Sequence, residues 1–497
     1  MLRKSLAIII LSFVLGLLFV ETAPCQSPSP SDAGKSSGSL TAGPFDLSGS
    51  WRTRMESWDW FGDGSAESAY TFGHSLFRLA IGQTRSKFDW QAEAAVPVLF
   101  LLPDNAIAPA PQGQLGLGAT YYAANDNSRN IARIFLKQGF IRFKGGEHRS
   151  LRLGRFEFLD GSEVTPKDPI LAVMEKTRIT QRLIGNFGWA AVGRSFDGLQ
   201  FTQDWKKNNF TFVAARTTQG VFQADGMGEL DVGFVYGSYT MPISRKGGDS
   251  ELRIFSIGYD DPRRMVLKTD NRPLAARRAD RDDILLGTFG ADYLEVFNTT
   301  TAGKFDFLVW GALQAGSWGV QSDRAGAFVG EFGWQPPVQR FSPWISAGYS
   351  YGSGDGNPND NKHTTFDQLL PTPRPYARFP FYDMQNNKDL YAAVDLHPHR
   401  KVALRTEAHS LWLAERNDLW YLGGGPYQPG TFGYVGRPSG GHSKLANVWD
   451  LSVDYKVAKG LGVTFYYASA WGSNVITSIY PRGANGQFGY VELNASF

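Results

Sequence analysis

The stretch FGYVELNASF (Phe488–Phe497) decides the fold. Val491, Leu493, Ala495 and Phe497 fall on one parity, and Phe488, Tyr490, Glu492, Asn494 and Ser496 on the other. A period of two marks a strand whose two faces meet different surroundings. In a soluble sheet such a strand would be an open edge, normally blunted by charge or proline. The edge disappears if the strand pairs with the first one, which contains Trp51, and turns its apolar face to lipid. An ordinary C-terminal edge strand is the competing reading of this stretch alone.

The composition extends the argument. Aromatic residues make up 14% of the 497-residue chain, 56 residues are glycine, and mean hydropathy is -0.27. Many aromatics with little aliphatic bulk suit a barrel with aromatic girdles and a polar lumen better than a series of soluble domains. The formal net charge of +3 points to no particular partner and gives no reason to expect nucleic acid.

At the N-terminus Arg3 and Lys4 precede an apolar run from Leu6 to Val20 and then small residues, the layout of a secretory signal. The run is shorter than the roughly 20 residues of a membrane span. Cleavage is expected after Cys25, making residues 1–25 the signal peptide. A lipoprotein processed before Cys25, the single cysteine, is the alternative, although Pro24 fits its motif poorly. Residues 26–44 are rich in Ser, Pro and Gly and read as a flexible periplasmic lead-in, leaving 45–497 for the barrel.

Alternating segments recur from Phe45 onward. Trp449, Leu451, Val453, Tyr455 and Val457 alternate with polar residues, the chain turns at Ala458–Leu461, and Val463, Phe465, Tyr467, Ser469 and Trp471 continue the pattern. A second hairpin joins Leu390–Leu396 to Val402–Ala408. The whole chain predicts strands over 46–58, 69–82, 87–101, 129–143, 149–158, 195–205, 209–217, 230–241, 250–260, 288–298, 303–316, 326–335, 342–352, 387–397, 401–413, 446–458, 461–471 and 486–497. That is about eighteen, an even number as a single-chain bacterial barrel requires. Long polar connections lie at 104–130, 159–194, 260–286, 352–386 and 414–445, alternating with short turns. The fold class is therefore all-β: a transmembrane antiparallel β-barrel with short periplasmic turns and long extracellular loops. At this strand number the wall side chains alone cannot fill the interior, so a channel is expected.

Once apolar residues set the outward parity, the opposite parity lines the lumen. Trp51, Thr53 and Met55 outward send Arg52, Arg54 and Glu56 inward, and Phe77, Leu79 and Ile81 do the same for His74 and Arg78. By this rule Arg152, Arg253, Arg405, Glu407 and His409 also face inward. Arg133, Arg194 and Arg216 are further candidates, with Gly139 and Gly154 as candidate bulge positions. A guanidinium keeps its charge and presents a planar fork that suits carboxylates. Inward acids at Asp89, Glu93, Asp395, Glu407, Asp450 and Asp454 temper the field, so a balanced ion-pair lining is the competing reading.

Other chemistry is weakly signalled. GDGNPNDN (Gly354–Asn361) places Asp355, Asn357 and Asn359 at calcium-loop spacing, but Asp360 and Phe366 stand where such a loop needs glycine and glutamate. A simple Gly/Asn/Asp turn is the plainer reading, and no cofactor is expected. His397 and His399 fall in a predicted periplasmic turn and read as solvated. The chain carries no His-Glu-x-x-His and no phosphate loop, and enzymatic activity is not expected.

LRLGRFEF (Leu151–Phe158), GRSFDGLQF (Gly193–Phe201) and SGDGNPNDNKHTTFDQLLPT (Ser353–Thr372), in that order and spacing, resemble the alginate export family of outer-membrane porins. The resemblance spans essentially the mature chain. It implies a monomeric barrel of about eighteen strands whose arginine-rich constriction passes an anionic polysaccharide. Carried over by motif, Arg152 and Arg155, and Arg194 with Asp197, would belong to the pore lining or its loop support. The expected function is passage of an anionic, alginate-like saccharide, with export as the expected direction. Outer-membrane lipid, the barrel assembly machinery and periplasmic export components are the expected partners besides the saccharide. A general or organic-acid uptake porin is the alternative. A third reading is an adhesin or barrel enzyme, with Phe379, Phe381, Tyr382, Tyr421 and Tyr427 on the long loops available to bind sugar.

Overall fold

The computed structural model describes residues 40–497, apart from Asp63 and Lys246. The signal peptide expected over 1–25 and most of the lead-in expected over 26–44 lie outside the described residues. Leu40–Ala42, the end of that lead-in, is no free coil: it folds back antiparallel on Phe45–Leu47.

Eighteen long strands make the wall. The first six are β1 (Phe45–Asp59), β2 (Ala69–Thr84), β3 (Phe88–Phe100), β4 (Phe135–Lys144), β5 (Arg149–Phe156) and β6 (Phe196–Trp205). Then come β7 (Asn208–Thr218), β8 (Glu229–Arg245), β9 (Gly248–Asp261), β10 (Ile284–Asn298), β11 (Lys304–Trp318) and β12 (Gln321–Gln335). The last six are β13 (Trp344–Gly352), β14 (Asn387–His399), β15 (Val402–Leu413), β16 (Lys444–Ala458), β17 (Leu461–Gly472) and β18 (Asn485–Ser496). Each pairs antiparallel with its sequence neighbours, and β18 returns to β1, closing the barrel.

The seam explains the closing stretch. Trp51, Thr53 and Met55 lie opposite Ala495, Leu493 and Val491 on the outer face, while Arg52 and Arg54 lie opposite Asn494 and Glu492 inside. Phe497 and Gly49 exchange backbone hydrogen bonds of 3.1 and 3.0 Å. The Phe497 ring lies so close over Gly49 that a Cβ there would collide with it. Exposed apolar side chains, among them Phe77, Phe289, Leu313, Leu390 and Trp449, continue around the outside. Such a surface belongs in lipid, where a closed sheet leaves no backbone group unpaired. Among the described residues no helix is long and apolar enough to cross a membrane, so the strands do the crossing.

Turns at one end are short. Lys459 and Gly460 alone link β16 to β17, and Gly460 takes a φ of +72°, which a side chain would resist. Long loops gather at the other end, and two of them, 157–195 and 353–386, fold into the lumen. In the first, Asp168 accepts from the backbone N–H groups of Ile170 and Leu171 at 2.8 and 3.2 Å, capping the helix Pro169–Met174, which widens into a π-helical turn at Glu175–Ile179. The two loops join where Gly185 N–H donates to Leu370 O and Leu370 N–H to Leu183 O, at 2.8 and 2.9 Å. With the loop 414–443 they pack Phe187, Leu370, Phe379, Phe381 and Trp420 against Trp58, Phe72, Phe196 and Tyr236 of the wall, all sealed from solvent. The hydrophobic core thus sits inside the extracellular half of the barrel. The loop aromatics Phe379, Phe381, Tyr382, Tyr421 and Tyr427, expected as an accessible sugar-binding surface, are buried in this plug.

Candidate functional site

Strand alternation delivers the inward arginines, and the loops change their surroundings. Arg54 donates from Nε to Glu492 at 2.6 Å and from Nη1 to Glu56 at 3.1 Å, while its guanidinium lies 4.5 Å from the Trp189 ring and 4.7 Å from the Tyr490 ring. Arg52 donates to the carbonyls of Gly188 and Ala190 on the descending loop, and Glu492 is 3.9 Å away. Arg78 bridges Glu93 and Glu157 at 2.5 and 2.7 Å. Arg152 donates to Gln200 and the Glu157 carbonyl and stacks 4.3 Å from Phe156. Arg253 joins Asp292 at 2.8 Å and Tyr236 at 3.0 Å, and Arg405 joins Glu407 at 2.9 Å and Asp395 at 2.5 Å. Arg194, fully buried where the loop rejoins the wall, donates to Gly424 O, while its Nε and Nη1 find no acceptor among the described residues.

Four of the expected lumen residues lie elsewhere. Arg155 and Asp197 share the parity of the outward Leu153 and form a bidentate pair of 2.8 and 2.6 Å on the outer wall near the extracellular rim. Arg216 faces out beside them, bound to Glu229 and Asp231 at 2.8 and 2.9 Å. Arg133 is exposed at the same end and donates to the neighbouring Ala132 carbonyl. For Arg155 and Asp197 the lumen position implied by the family resemblance fails and the outward parity of Leu153 holds, while at Arg216 the plug makes the upper lumen apolar, so that Val213, Ala215 and Phe196 point inward. The bulge is displaced too. Glu93 pairs with Gln138 and Ala94 with Leu136, leaving Lys137 as the extra residue, with Lys137 and Gln138 both buried.

Sequence reasoning missed the arginines that the loops carry. Arg178, on the π-helical turn, reaches Glu331 of β12 at 3.1 Å and Glu407 of β15 at 3.0 Å and so ties the plug to the wall. Arg182 lies 5.3 Å from the Trp310 ring. Arg374 lies 4.7 Å from Trp189 and donates to Tyr490 Oη at 3.1 Å, and Arg378 approaches Asp450 at 3.6 Å. A loop has no parity to assign them. The signal available was local: TRITQR (Thr177–Arg182) and RPYARF (Arg374–Phe379) set arginines among aromatic or apolar residues in otherwise polar connections.

The interior charges are unevenly placed. Among the described residues Arg182, Arg194 and Arg374 have no carboxylate partner, and that of Arg52 is distant. Across the lumen Glu175, Glu251 and Asp306 each bury a carboxylate oxygen without a hydrogen-bond partner. A basic sector, Arg52 and Arg374, therefore lies beside β1 and β18, across the lumen from Glu251 on β9 and Asp306 on β11, while Arg182 lies on that far side against Trp310.

Metal chemistry finds little support in the donor sets. Glu407, His409 and Asp450 lie close enough to share an ion. Glu407 already accepts from Arg178 and Arg405, however, and His409 Nδ1 is paired with Asp389 at 2.9 Å, so cations of the protein occupy the positions a metal would take. At the calcium-like loop, Asp355 and Asn357 accept from the backbone N–H groups of Asn357 and Asn359 at 3.0 and 3.2 Å, which are local turns. Burial pushes the Asp355 carboxyl up to about 6. Gly348–Gly352 carries the letters Gly-x-Ser-x-Gly, but Ser350 lies within β13 and not on the strand-to-helix elbow that exposes a nucleophile.

Residues 117–485 match the alginate export family. The chain belongs to that family. No curated protein sequence matches it. Solved structures of similar architecture include the outer membrane protein opdK from Pseudomonas aeruginosa, with TM-score 0.54 and 10% identity over 91% of this chain and 99% of that one. Another is OccAB2 from Acinetobacter baumannii, with TM-score 0.55 and 11% identity over 91% and 98%. Pseudomonas aeruginosa OpdK with vanillate gives 0.55 and 10% over the same shares. At these identities the likeness is one of fold. Family, closed barrel and lipid-facing wall together make this member of the alginate export family a channel-type barrel of the bacterial outer membrane.

Proposed function

We propose that this barrel passes an anionic, alginate-like saccharide across the outer membrane, outward from the periplasm. The observation that carries the reading is the basic sector, in which Arg52 and Arg374 keep charge that no close carboxylate cancels. A permeant must be attracted enough to go in and released easily enough to leave, which repeated guanidinium contacts provide. Burial makes the two mouths unlike, and direction follows the gradient of the solute supplied in the periplasm. Trp58, Phe379 and Phe488 above the basic sector are sealed, whereas Ser50, Asn494, Thr464 and Asp454 below it are partly or fully exposed. A solute from the periplasm meets a polar vestibule, and one from outside meets the plug. The reading assigns the protein no catalysis and no cofactor.

Uptake of a small organic acid is the second reading, favoured by the pairing of Arg78, Arg253 and Arg405 with acids. Efflux from proteoliposomes loaded with oligogalacturonate or maltohexaose separates the two. The proposal expects the uronate to leave faster, and Arg52→Ala and Arg374→Ala to slow it severalfold while sparing the neutral sugar. Equal loss of both sugars, unchanged by either variant, would contradict it.

A further inference from the structure

A row of side chains crosses the outer face of the wall at its extracellular end. Tyr351 of β13 pairs with Lys388 of β14, Lys388 with Trp412 of β15, and Trp412 with Lys444 of β16. Lys388 and Trp412 share the outward parity of the exposed Leu390 and Ala408. Lys444 reaches the same face through a bulge: Leu411 pairs with Ala446 but Trp412 with Lys444, so Leu445 is the extra residue, buried together with Ala446. We propose that Lys388 and Lys444, on either side of Trp412, hold a phosphate of an outer-leaflet lipid, the phosphorylated glycolipid anchor of lipopolysaccharide.

Neither lysine has a carboxylate partner among the described residues. Lys388 donates to the Ala414 carbonyl at 3.3 Å and Lys444 to Ser410 Oγ. Glu415, which follows Ala414, sets its carboxylate against Gly356 instead. By contrast Arg155 and Arg216, on the outer wall at the same end, are neutralised by Asp197, Glu229 and Asp231. Lys444 Nζ lies 3.6 Å from the centre of the Trp412 ring, which holds the ammonium over β15 and on the side of Lys388. Two strand spacings, about 10 Å at Cα, separate the lysines, a span that two flexible four-carbon stems close around one phosphate. A lysine on the lipid face is costly at mid-membrane and cheap near the interface, where its ammonium meets headgroups. The row has that depth: loops 353–386 and 414–443 begin directly above it, and the exposed Tyr349, Leu390 and Trp449 lie below it as a bed for acyl chains. The Tyr351 and Trp412 rings beside the lysines give the sugar that carries the phosphate an apolar face to lie on. Phosphate, sugar ring and acyl chains recognised together describe a phosphorylated glycolipid better than phosphatidylglycerol.

The test is lipid binding to the detergent-solubilised barrel, counted as lipid-bound species by native mass spectrometry. Bisphosphorylated lipid A, the same lipid without its phosphates, and phosphatidylglycerol are compared. The wild-type barrel is expected to hold the bisphosphorylated lipid about tenfold more tightly than either of the others. Lys388→Gln/Lys444→Gln is expected to lose that preference, Lys388→Arg/Lys444→Arg to keep it, and Arg216→Gln, at a neutralised position, to keep it as well. Variants are compared only where their folded form shows the wild-type shift on unheated gels; should the double glutamine variant fail this, Lys388→Gln alone decides. Equal retention of the phosphate-free lipid or of phosphatidylglycerol by wild type would overturn the site. So would an unchanged preference in the glutamine variant, or the same loss in Arg216→Gln.

Discussion

Arg54 shows what a buried guanidinium does in this barrel. Its side chain is 1% exposed and serves Glu56 and Glu492 at once. Removing one partner of a buried ion pair strands the others and costs about 3–5 kcal/mol. Arg54→Ala is expected to lower unfolding stability in vesicles by that order, and the exposed Arg133→Ala by no more than about 0.5 kcal/mol; urea titration of tryptophan fluorescence checks both. Asp160 makes a pH prediction. Its Oδ1 accepts from Leu183 and Ile184 N–H groups at 3.2 and 2.9 Å, its Oδ2 has no hydrogen-bond partner, and burial raises its carboxyl to about 7 against the attraction of Arg253. A carboxyl raised on docking binds its proton more tightly in the docked loop. Docking is therefore strongest below the ordinary value of 3.8 and weakens as pH rises through about 7. Open events should be more frequent at pH 8 than at pH 5, and Asp160→Asn should flatten the response. A variant with the wild-type pH profile would contradict this role.

At the scale of elements, the wall was legible in the sequence and its contents were not. All eighteen predicted segments find a strand, because a closed barrel repeats one simple instruction, alternation, along each of them. Boundaries moved by a few residues, and most at β4, where the Lys137 bulge and the separate bridge Ile131–Ala132 interrupt the predicted 129–143. The inward positions of Arg52, Arg78, Arg253 and Arg405 followed from their apolar neighbours. That of Arg216 did not hold, since the plug presents apolar surface to the lumen at that level, and the lumen position of Arg155 and Asp197 came from the family resemblance against the outward parity of Leu153. The plug itself was hidden because loop residues such as Arg178 and Arg374 are placed by contacts distant in sequence. Two element-level outcomes follow. Gly49→Val should clash with Phe497 and weaken the seam, lowering the temperature at which the folded form converts on gels by several degrees. Shortening the loop 353–386 between Asn359 and Arg378 removes part of the plug, and single-channel conductance should rise severalfold; unchanged conductance would mean that this loop does not limit the path.

For the whole molecule, a lipid-facing surface outside and a charged interior divided into sectors are consequences of one closed sheet. The outer band fixes the protein in the membrane, and the seam between Phe497 and Gly49 leaves no edge. Within the lumen the sectors matter more than the formal net charge of +3, because ions respond to the local surplus. The zero-current potential of the conducting barrel in a potassium chloride gradient tests this claim most directly. A lumen with a basic surplus at Arg52 and Arg374 gives a potential on the chloride side of zero that moves toward potassium in Arg52→Gln/Arg374→Gln; a wild-type potential on the potassium side would contradict that surplus.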